Sequence, residues 1–304
     1  MMGVVAPAAA TEATIATVRP GGELRGVFAC TRKDRLLTRT GSPYLAIELR
    51  DSTGTIQARA FRDADTLGAQ FERGELVQTT GQIEGVRDEL VMEIDQIERV
   101  SPADAAVDPA AFLPQAYRDL DELDGFLEHL AGEVHDRQYA ALLAGLLGDR
   151  GLRRAWRRAP CSRAGHHAYL GGLLEHTVAV ATMAYELCQL HPRLNRDLLL
   201  TAAIVHDLGR TREFTYGAEI GLTDEGRLLG HLILGEQMLS ERGRMLDDRR
   251  RLALLHCLLC HHGPSLAPTG RFHSAEAAAL ARLNALDATV NTAPSAAADA
   301  RNQA

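Results

Sequence analysis

Residues 197–210, DLLLTAAIVHDLGR, decide the fold of the surrounding chain. Seven of the eight positions from Leu198 to Val205 are apolar, with Thr201 as the exception, and their run is long enough for a buried helix. The run ends on His206-Asp207, and Gly209 then supplies a residue that commonly ends helices. The pattern therefore predicts an interior helix that carries an imidazole and a carboxylate at its end.

Outward from this segment, apolar residues recur at helical spacing over most of residues 117–290. The other helical segments are LDELDGFLEHLAGEV (120–134), YAALLAGLLGD (139–149), LLEHTVAVATMAYELCQL (173–190), LLGHLILGEQMLSERG (228–243), RRLALLHCLLCHHG (250–263) and SAEAAALARLNALDATV (274–290). Seven helices in succession predict an all-α domain over residues 117–290.

Residues 21–100 show a different pattern, with five segments typical of β-strands and a short helical insert after the third. This order predicts an all-β barrel of the OB-fold type. The chain is thus multidomain, with an N-terminal all-β OB-fold barrel followed by an all-α domain. Residues 101–116 are rich in Ala and Pro and read as a linker, and residues 1–20 and 291–304 are predicted to be disordered.

Composition narrows the class of protein. The 304 residues include no apolar run long enough to span a membrane, and the N-terminus lacks the features of a secretory signal, so we expect a cytoplasmic protein without a membrane partner. Five scattered cysteines do not suggest a disulfide framework. A net charge of −7 is unlike that of a general nucleic-acid binder, so any phosphate contacts must come from local basic patches.

Histidines and one aspartate lie at the ends of successive helical segments. They are His176, His206, Asp207, His231, His261 and His262. Imidazole and carboxylate together hold divalent ions such as Mn, Fe, Co or Zn, and two adjacent ions can activate water at a phosphodiester. The alternative, a set of packed core histidines, explains a single position better than six.

These motifs resemble the HD metal-dependent phosphohydrolases, and in their order they resemble the YhaM-type 3'-5' exoribonuclease family. The matching segments are HHAYLGGLLEHT (166–177), AIVHDLGR (203–210), LTDEGRLLGH (222–231), HHG (261–263) and EAAALARLNALDA (276–288). The family arrangement of an OB-fold domain before an HD domain also matches, over about residues 22–290.

The resemblance implies a catalytic centre of His176, His206 and Asp207, with two divalent ions held by these residues and by His231, His261 and His262. Manganese is favoured, with Co, Fe, Mg or Zn as alternatives. The implied substrates are single-stranded RNA and DNA degraded from the 3' end, and a homo-oligomer is permitted.

The chain departs from the family pattern at three places. The closing helix carries Asn284 where the family has an aspartate, although Asp287 is retained, and we expect both as metal ligands. Arg210 replaces the usual lysine after HDLG and is a candidate substrate contact. The segment PSLAPTGRF (264–272) replaces an acidic loop.

Further substrate contacts are predicted from local charge and aromatic residues. A run of arginines around Trp156 includes Arg154, Arg158 and Arg163, and it either guides phosphates or forms a solvated helix face. His166 and His167, next along the chain, either contact phosphate or cap a helix. On the barrel, Lys33 lies in a basic loop and Tyr44 is the expected base-stacking aromatic, although some barrel aromatics must fill the core. Cys257 and Cys260 pack in a helix on this reading, since no second ligand pair for a structural zinc is evident.

Three functions follow as hypotheses. The first is a metal-dependent 3'-5' exoribonuclease. The second is a nucleic-acid-binding protein whose metal site is impaired by Asn284. The third is a hydrolase of free or cyclic nucleotides, which the barrel disfavours because a small substrate needs no strand-holding domain.

Overall fold

A computed structural model describes residues 14–87, 89–100, 108–267 and 269–293. The chain divides into two compact units. The first, here called the barrel unit, runs to Pro114 and includes Tyr216–Ile220. The second, the helical unit, comprises Gln115–Thr215 and the residues from Gly221 onward.

The predicted all-β barrel is confirmed. Its elements are β1 (Glu23–Leu37), β2 (Pro43–Asp51), β3 (Gly54–Ala60), α1 (Ala64–Gly68), β4 (Leu76–Val86) and β5 (Glu89–Arg99). The strands close in the order β1-β2-β3-β5-β4, in which only the β3–β5 pair is parallel. This is the five-stranded barrel that the strand order in the sequence predicts for an OB-fold.

Every second side chain along the strands points inward and fills the interior of the barrel. Leu45, Ile47 and Leu49 on β2 all point into its core, as a period of two requires. At Gly81, where the register between β4 and β5 shifts, an added Cβ would lie 2.2 Å from the carbonyl oxygen of Glu93. Only glycine permits this close approach of the two backbones.

The predicted helical domain is also confirmed. Its helices are α2 (Leu120–Gly132), α3 (Arg137–Gly148), α4 (Arg150–Arg158), α5 (Gly172–Leu190), α6 (Arg196–Val205), α7 (Arg210–Glu213), α8 (Asp224–Leu228), α9 (Gly230–Arg242), α10 (Asp248–Cys260) and α11 (Ala275–Thr292). Two short strands, β6 (Phe214–Tyr216) and β7 (Ile220–Leu222), pair between α7 and α8. The four elements from α7 to α8 are too short to show the periodicity on which the sequence prediction rested.

Helix α6 lies in the middle of the helical unit. All its residues from Leu198 to Val205 are buried, and it contacts α5, α10 and α11. A helix that is apolar on every face can be covered only by neighbours on all sides. Its C-terminal end is therefore an interior position, which is where His206-Asp207 follows.

Several predicted boundaries change. Ile15–Thr17 forms a short 3-10 helix within the segment predicted to be disordered, because the Ile15 amide donates to Asp51 Oδ2 at 2.8 Å. Pro109–Phe112 forms another within the predicted linker, and α11 continues to Thr292. The rest of the predicted disorder, in residues 1–13 and 294–304, and the linker residues 101–107 lie outside the described residues. Among those described, we find no helix with the length and apolar character needed to cross a bilayer.

Candidate metal centre

The side chain of Asp207 joins two groups of histidines. It follows α6 directly and is 2 % exposed, while His206 beside it is fully buried. Its two carboxylate oxygens face different neighbours: Oδ2 faces His176 and His206, whereas Oδ1 faces His231 and His261. A carboxylate placed in this way can bridge two cations.

The first group comprises His176, His206 and Asp207, whose ligand atoms lie within 4.8 Å of one another. His176 Nε2 and His206 Nε2 are 3.0 Å apart. Asp207 Oδ2 is 3.8 Å from the first of these nitrogens and 3.7 Å from the second. Helices α5 and α6 supply this group by packing side by side.

The second group comprises Asp207, His231, His261 and His262, again with ligand atoms within 4.8 Å of one another. Asp207 Oδ1 lies 3.4 Å from His231 Nε2 and 3.3 Å from His261 Nε2. His262, which is exposed, brings its Nε2 to 2.9 Å from that of His231. Asp207 and His261 are buried and His231 is partly buried, so solvent reaches this group from the side of His262.

Hydrogen bonds at Nδ1 leave the Nε2 atoms as acceptors. His206 Nδ1 donates to the carbonyl oxygen of Ala203 at 2.8 Å, and His261 Nδ1 donates to that of Leu258 at 2.6 Å. In a neutral imidazole the other nitrogen then carries a lone pair. The Nε2 lone pairs of both rings therefore point toward Asp207.

Two buried atoms in this centre have no hydrogen-bond partner: Asp207 Oδ1 and His261 Nε2. Buried acceptors without donors are costly, and a cation between them would remove that cost. The Nε2 atoms of His176 and His206 also lie close together, and a cation between them would remove the cost of that approach as well. The residues present therefore fit a pair of divalent cations that share Asp207.

Electrostatics favour ligands in their metal-binding forms. Burial by itself raises the pKa of Asp207, but the positive charge of Arg210 beside it more than offsets burial, so the pKa lies well below its usual range. Burial lowers the pKa of His206 well below its usual range. The carboxylate is thus ionised and the imidazole neutral, as coordination requires.

Glycine at position 209 allows the second group to form. An added Cβ there would lie 2.0 Å from the carbonyl oxygen of His231 and 2.6 Å from the amide nitrogen of Gly235. The turn after His206-Asp207 can therefore press against the start of α9, which brings His231 to Asp207. Gly209, which the sequence marks as the end of a helix, is therefore also required for this packing against α9.

Arg210, predicted to contact substrate, is buried instead. Its Nε donates to Asp207 Oδ2 at 2.7 Å, and its Nη1 lies 3.3 Å from Glu213 Oε2. Only 9 % of the side chain is exposed. The guanidinium therefore orients the bridging carboxylate and has little surface for a phosphate, which corrects the sequence prediction.

Asp287 and Glu213 contact the Nδ1 sides of His176 and His231, one histidine from each group. Asp287 Oδ2 accepts from His176 Nδ1 at 2.6 Å, and Glu213 Oε1 lies 3.5 Å from His231 Nδ1 and 3.2 Å from its amide nitrogen. A carboxylate at Nδ1 fixes ring orientation and strengthens Nε2 as a ligand. We infer this supporting role for Asp287; its predicted direct ligation stays a prediction, since Asp287 also forms a candidate ligand group with His167 and His176. Sequence reasoning missed Glu213, whose only signal was its place three residues after Arg210.

His167 is also a supporting residue and not the predicted phosphate contact. It is 4 % exposed and has a left-handed backbone with φ of 48°. Its Nε2 lies 2.9 Å from Asp287 Oδ2, and its Nδ1 lies 2.7 Å from the hydroxyl of Tyr169. Both ring nitrogens are thus engaged within the protein. His166 is partly buried and lies 3.5 Å from Cys161 Sγ.

Asn284 lies beside the second group. The side chain is 6 % exposed, and its Nδ2 donates to the carbonyl oxygen of His261 at 3.2 Å. This contact holds the end of α10, on which His261 and His262 depend. Its direct ligation of a metal stays a prediction.

The arginine run divides into two faces. Arg153 and Arg157 both pair with the buried carboxylate of Asp124, and each also pairs with a second acid on α2. These two arginines therefore join α4 to α2. Arg154, Arg158 and Arg163 are exposed, as phosphate guidance requires, and their role in it stays a prediction.

On the barrel, Lys33 is engaged within the protein and does not have the exposure expected of a substrate contact. Its Nζ donates to the carbonyl oxygen of Phe71 and pairs with Glu72 at 3.1 Å, and the side chain is 14 % exposed. It therefore secures the segment after α1 and is not a free phosphate contact.

Tyr44 stacks on Phe61 with ring centroids 5.3 Å apart, and Phe61 is 46 % exposed. Phe28 is buried and belongs to the core.

Comparison with known protein families gives a match within each of the two units. Residues 173–299 match the HD domain family, and residues 22–100 match a family described as an OB-fold nucleic acid binding domain. A protein of Oceanobacillus iheyensis named 3'-5' exoribonuclease YhaM is 29 % identical over 252 residues, which cover 80 % of this chain and 76 % of that protein.

Proteins of the same name occur among other relatives. The one in Shouchella clausii is 28 % identical and covers 81 % of this chain and 76 % of its own. The one in Listeria innocua serovar 6a is also 28 % identical, with coverage of 73 % and 71 %. The predicted resemblance to the YhaM-type family is therefore confirmed.

Proposed function

From an HD domain and an OB-fold nucleic acid binding domain in one chain, we propose that this protein is a metal-dependent 3'-5' exoribonuclease. The observation that carries the proposal is the position of Asp207 between two histidine groups, with its buried Oδ1 lacking any hydrogen-bond partner. The relatives named as 3'-5' exoribonucleases supply the polarity and the substrate class. Single-stranded DNA is a second expected substrate.

Each residue of the centre has a distinct task. His176, His206 and Asp207 would hold one cation, and Asp207, His231, His261 and His262 would hold the other. When bound, two divalent ions activate water and offset the negative charge that develops on a phosphodiester. Arg210 keeps Asp207 oriented and ionised, since its guanidinium donates directly to Oδ2.

Two further carboxylates fix the orientation of the histidine rings. Asp287 positions His176, and Glu213 positions His231, each through the Nδ1 side of the ring. Because the rings cannot rotate without losing these contacts, their Nε2 atoms are held in the orientation that would bind a cation. The exposed His262 is the ligand nearest to solvent and so faces the incoming 3' end.

The barrel unit would bind the single strand. The stacked pair of Tyr44 and Phe61 offers an aromatic surface to a base, and Arg39, Arg59 and Arg62 are solvent-accessible cations of the same unit. Stacking and phosphate contact together bind single strands with little dependence on sequence. We expect manganese as the activating cation and a cytoplasmic location.

The experiment is an exonuclease assay with the metal-stripped full-length protein. Single-stranded RNA labelled at its 5' end should be shortened progressively from the 3' end when Mn²⁺ is added, whereas Asp207→Asn should leave it intact. Exposed Arg249→Gln, remote from the centre on α10, serves as the control and should retain activity. Hydrolysis of free nucleotides without cleavage of RNA would identify a nucleotide hydrolase instead.

Asn284 favours one alternative, a nucleic-acid-binding protein with an impaired centre. The amide brings no negative charge to a site that must balance two divalent ions. The assay separates the two functions: tight binding of RNA with no cleavage at any Mn²⁺ concentration would support the alternative.

A further inference from the structure

A cysteine lies at the edge of the metal centre. Cys161, in the loop between α4 and α5, is fully buried, and its Sγ is 3.5 Å from Asp207 Oδ2. On its other side Sγ is 3.5 Å from His166 Nε2. The chain separation of 46 residues from Asp207 shows that tertiary packing brings the thiol there.

Cys161 forms a ligand group of its own. Its Sγ and one ring nitrogen from each of His166 and His176 lie within 4.8 Å of one another. His176 also belongs to the group with His206 and Asp207. The position next to His176 is therefore surrounded by a sulfur atom as well as by nitrogen and oxygen, whereas the group around His231 contains no sulfur.

The metal preferences of these two environments differ. Thiolate ligands favour zinc and other borderline or soft ions, whereas manganese and magnesium favour oxygen-rich sites. A sulfur ligand at one position only would make the two cations unequal. In Cys188 and Cys257, by contrast, the sulfur packs in the apolar core of the helical unit.

We infer that Cys161 and His166 extend the position beside His176 into a binding site for a thiophilic divalent cation such as zinc or cobalt. This inference rests on the proposed function, because it assigns one cation of that same centre. Coordination would form a sulfur–metal bond and release the thiol proton to solvent, with no change in oxidation state.

The test titrates Co²⁺ into the metal-stripped full-length protein and records the absorption spectrum. A thiolate bound to cobalt gives a sulfur-to-metal charge-transfer band in the near ultraviolet. We expect this band in the natural protein and in the control Cys257→Ser, and we expect its loss in Cys161→Ser and Cys161→Ala. His166→Ala, at a partly exposed position that tolerates truncation, should shift the band and weaken cobalt binding.

A competition experiment measures selectivity without reference to activity. The protein is equilibrated with equal Zn²⁺ and Mn²⁺, and bound metals are counted. The ratio of bound zinc to bound manganese should be lower in Cys161→Ser than in the natural protein, because loss of the sulfur should lower zinc affinity by at least about tenfold while changing manganese affinity little. If Cys161 variants do not fold, the same loss of preference in His166→Ala supports the inference.

The outcomes separate this inference from the proposed function. Two bound cobalt ions with no charge-transfer band would overturn the cysteine site and leave the binuclear centre intact. A band that persists in both Cys161 variants would also overturn it. Failure of the natural protein to bind any cobalt or manganese would overturn the cysteine site and the proposed function together.

Discussion

Replacement of Asp287 by asparagine tests how the centre is supported. The change keeps the size of the side chain but removes the negative charge that faces His176 Nδ1 at 2.6 Å and His167 Nε2 at 2.9 Å. Burial by itself raises the pKa of Asp287, yet the hydrogen bonds from these two histidines hold it well below its usual range. The carboxylate is therefore charged at neutral pH, and the substitution removes that charge in full.

The expected effect is a moderate loss of metal affinity. Removing a group that supports a ligand histidine typically weakens metal binding about 10- to 100-fold, which corresponds to about 1.4–2.7 kcal/mol. His176 Nε2 would remain near its position, because the asparagine Oδ1 can still accept from Nδ1. We therefore expect Asp287→Asn to bind Mn²⁺ more weakly but to cleave RNA at high metal concentration.

Calorimetric titration of Mn²⁺ into metal-stripped protein measures this loss. Glu276→Gln is the matched control, since it removes one charge from the same helix where the carboxylate accepts from the Asn195 amide. Unchanged affinity in Asp287→Asn would refute the supporting role. A complete loss of Mn²⁺ binding would also refute the supporting role, because Asp287 would then be a direct ligand.

Four further predictions concern the rest of the molecule. Arg153→Gln with Arg157→Gln should destabilise the protein by about 3 kcal/mol in urea unfolding, because the buried Asp124 loses both partners, without changing RNA affinity. Arg154→Gln should instead weaken RNA binding and reduce its salt dependence while leaving unfolding unchanged; the reverse pattern would contradict the division into two faces. Tyr44→Ala should weaken binding of single-stranded RNA by about 1–3 kcal/mol in a filter-binding assay, and equal binding would exclude stacking at this position. Asn284→Asp should raise Mn²⁺ affinity but lower the thermal stability of the metal-free protein, since two oxygens would face each other where Nδ2 now donates to His261; a metal titration with thermal unfolding measures both.

The pH dependence of stability offers another check, at a site remote from the centre. The side-chain hydrogen bond from Arg250 holds the pKa of Asp136 below its usual range despite some burial. The ion pair therefore stabilises the fold fully above about pH 4, near the ordinary pKa of aspartate, and this contribution is lost as the pH falls through the lower folded value. The difference in unfolding free energy between the natural protein and Asp136→Asn should be constant from pH 7 to pH 5 and shrink in stronger acid. A difference that grows in acid would contradict this sign.

Local pattern in the sequence determined the elements and their order. Alternation in β2 and the uniformly apolar run of α6 are properties of neighbouring residues, so they predict a strand and an interior helix without knowledge of the partners. The same run predicts that His206 and Asp207 are interior, since they follow its buried end. The motif set and its order were enough to predict the HD domain and the barrel before it.

Only the tertiary structure decided what each polar side chain does. Arg153 and Arg154 are adjacent in sequence, but one faces the acids of α2 and the other faces solvent. Arg210 and Lys33 are cations that local charge marks as phosphate contacts, yet packing directs them to Asp207 and to Phe71 with Glu72. Cys161 meets Asp207 only because the loop before α5 folds onto the end of α6. Periodicity fixes which face of a helix is buried, whereas the partner of a side chain depends on how distant helices pack, and that information is spread over the whole chain.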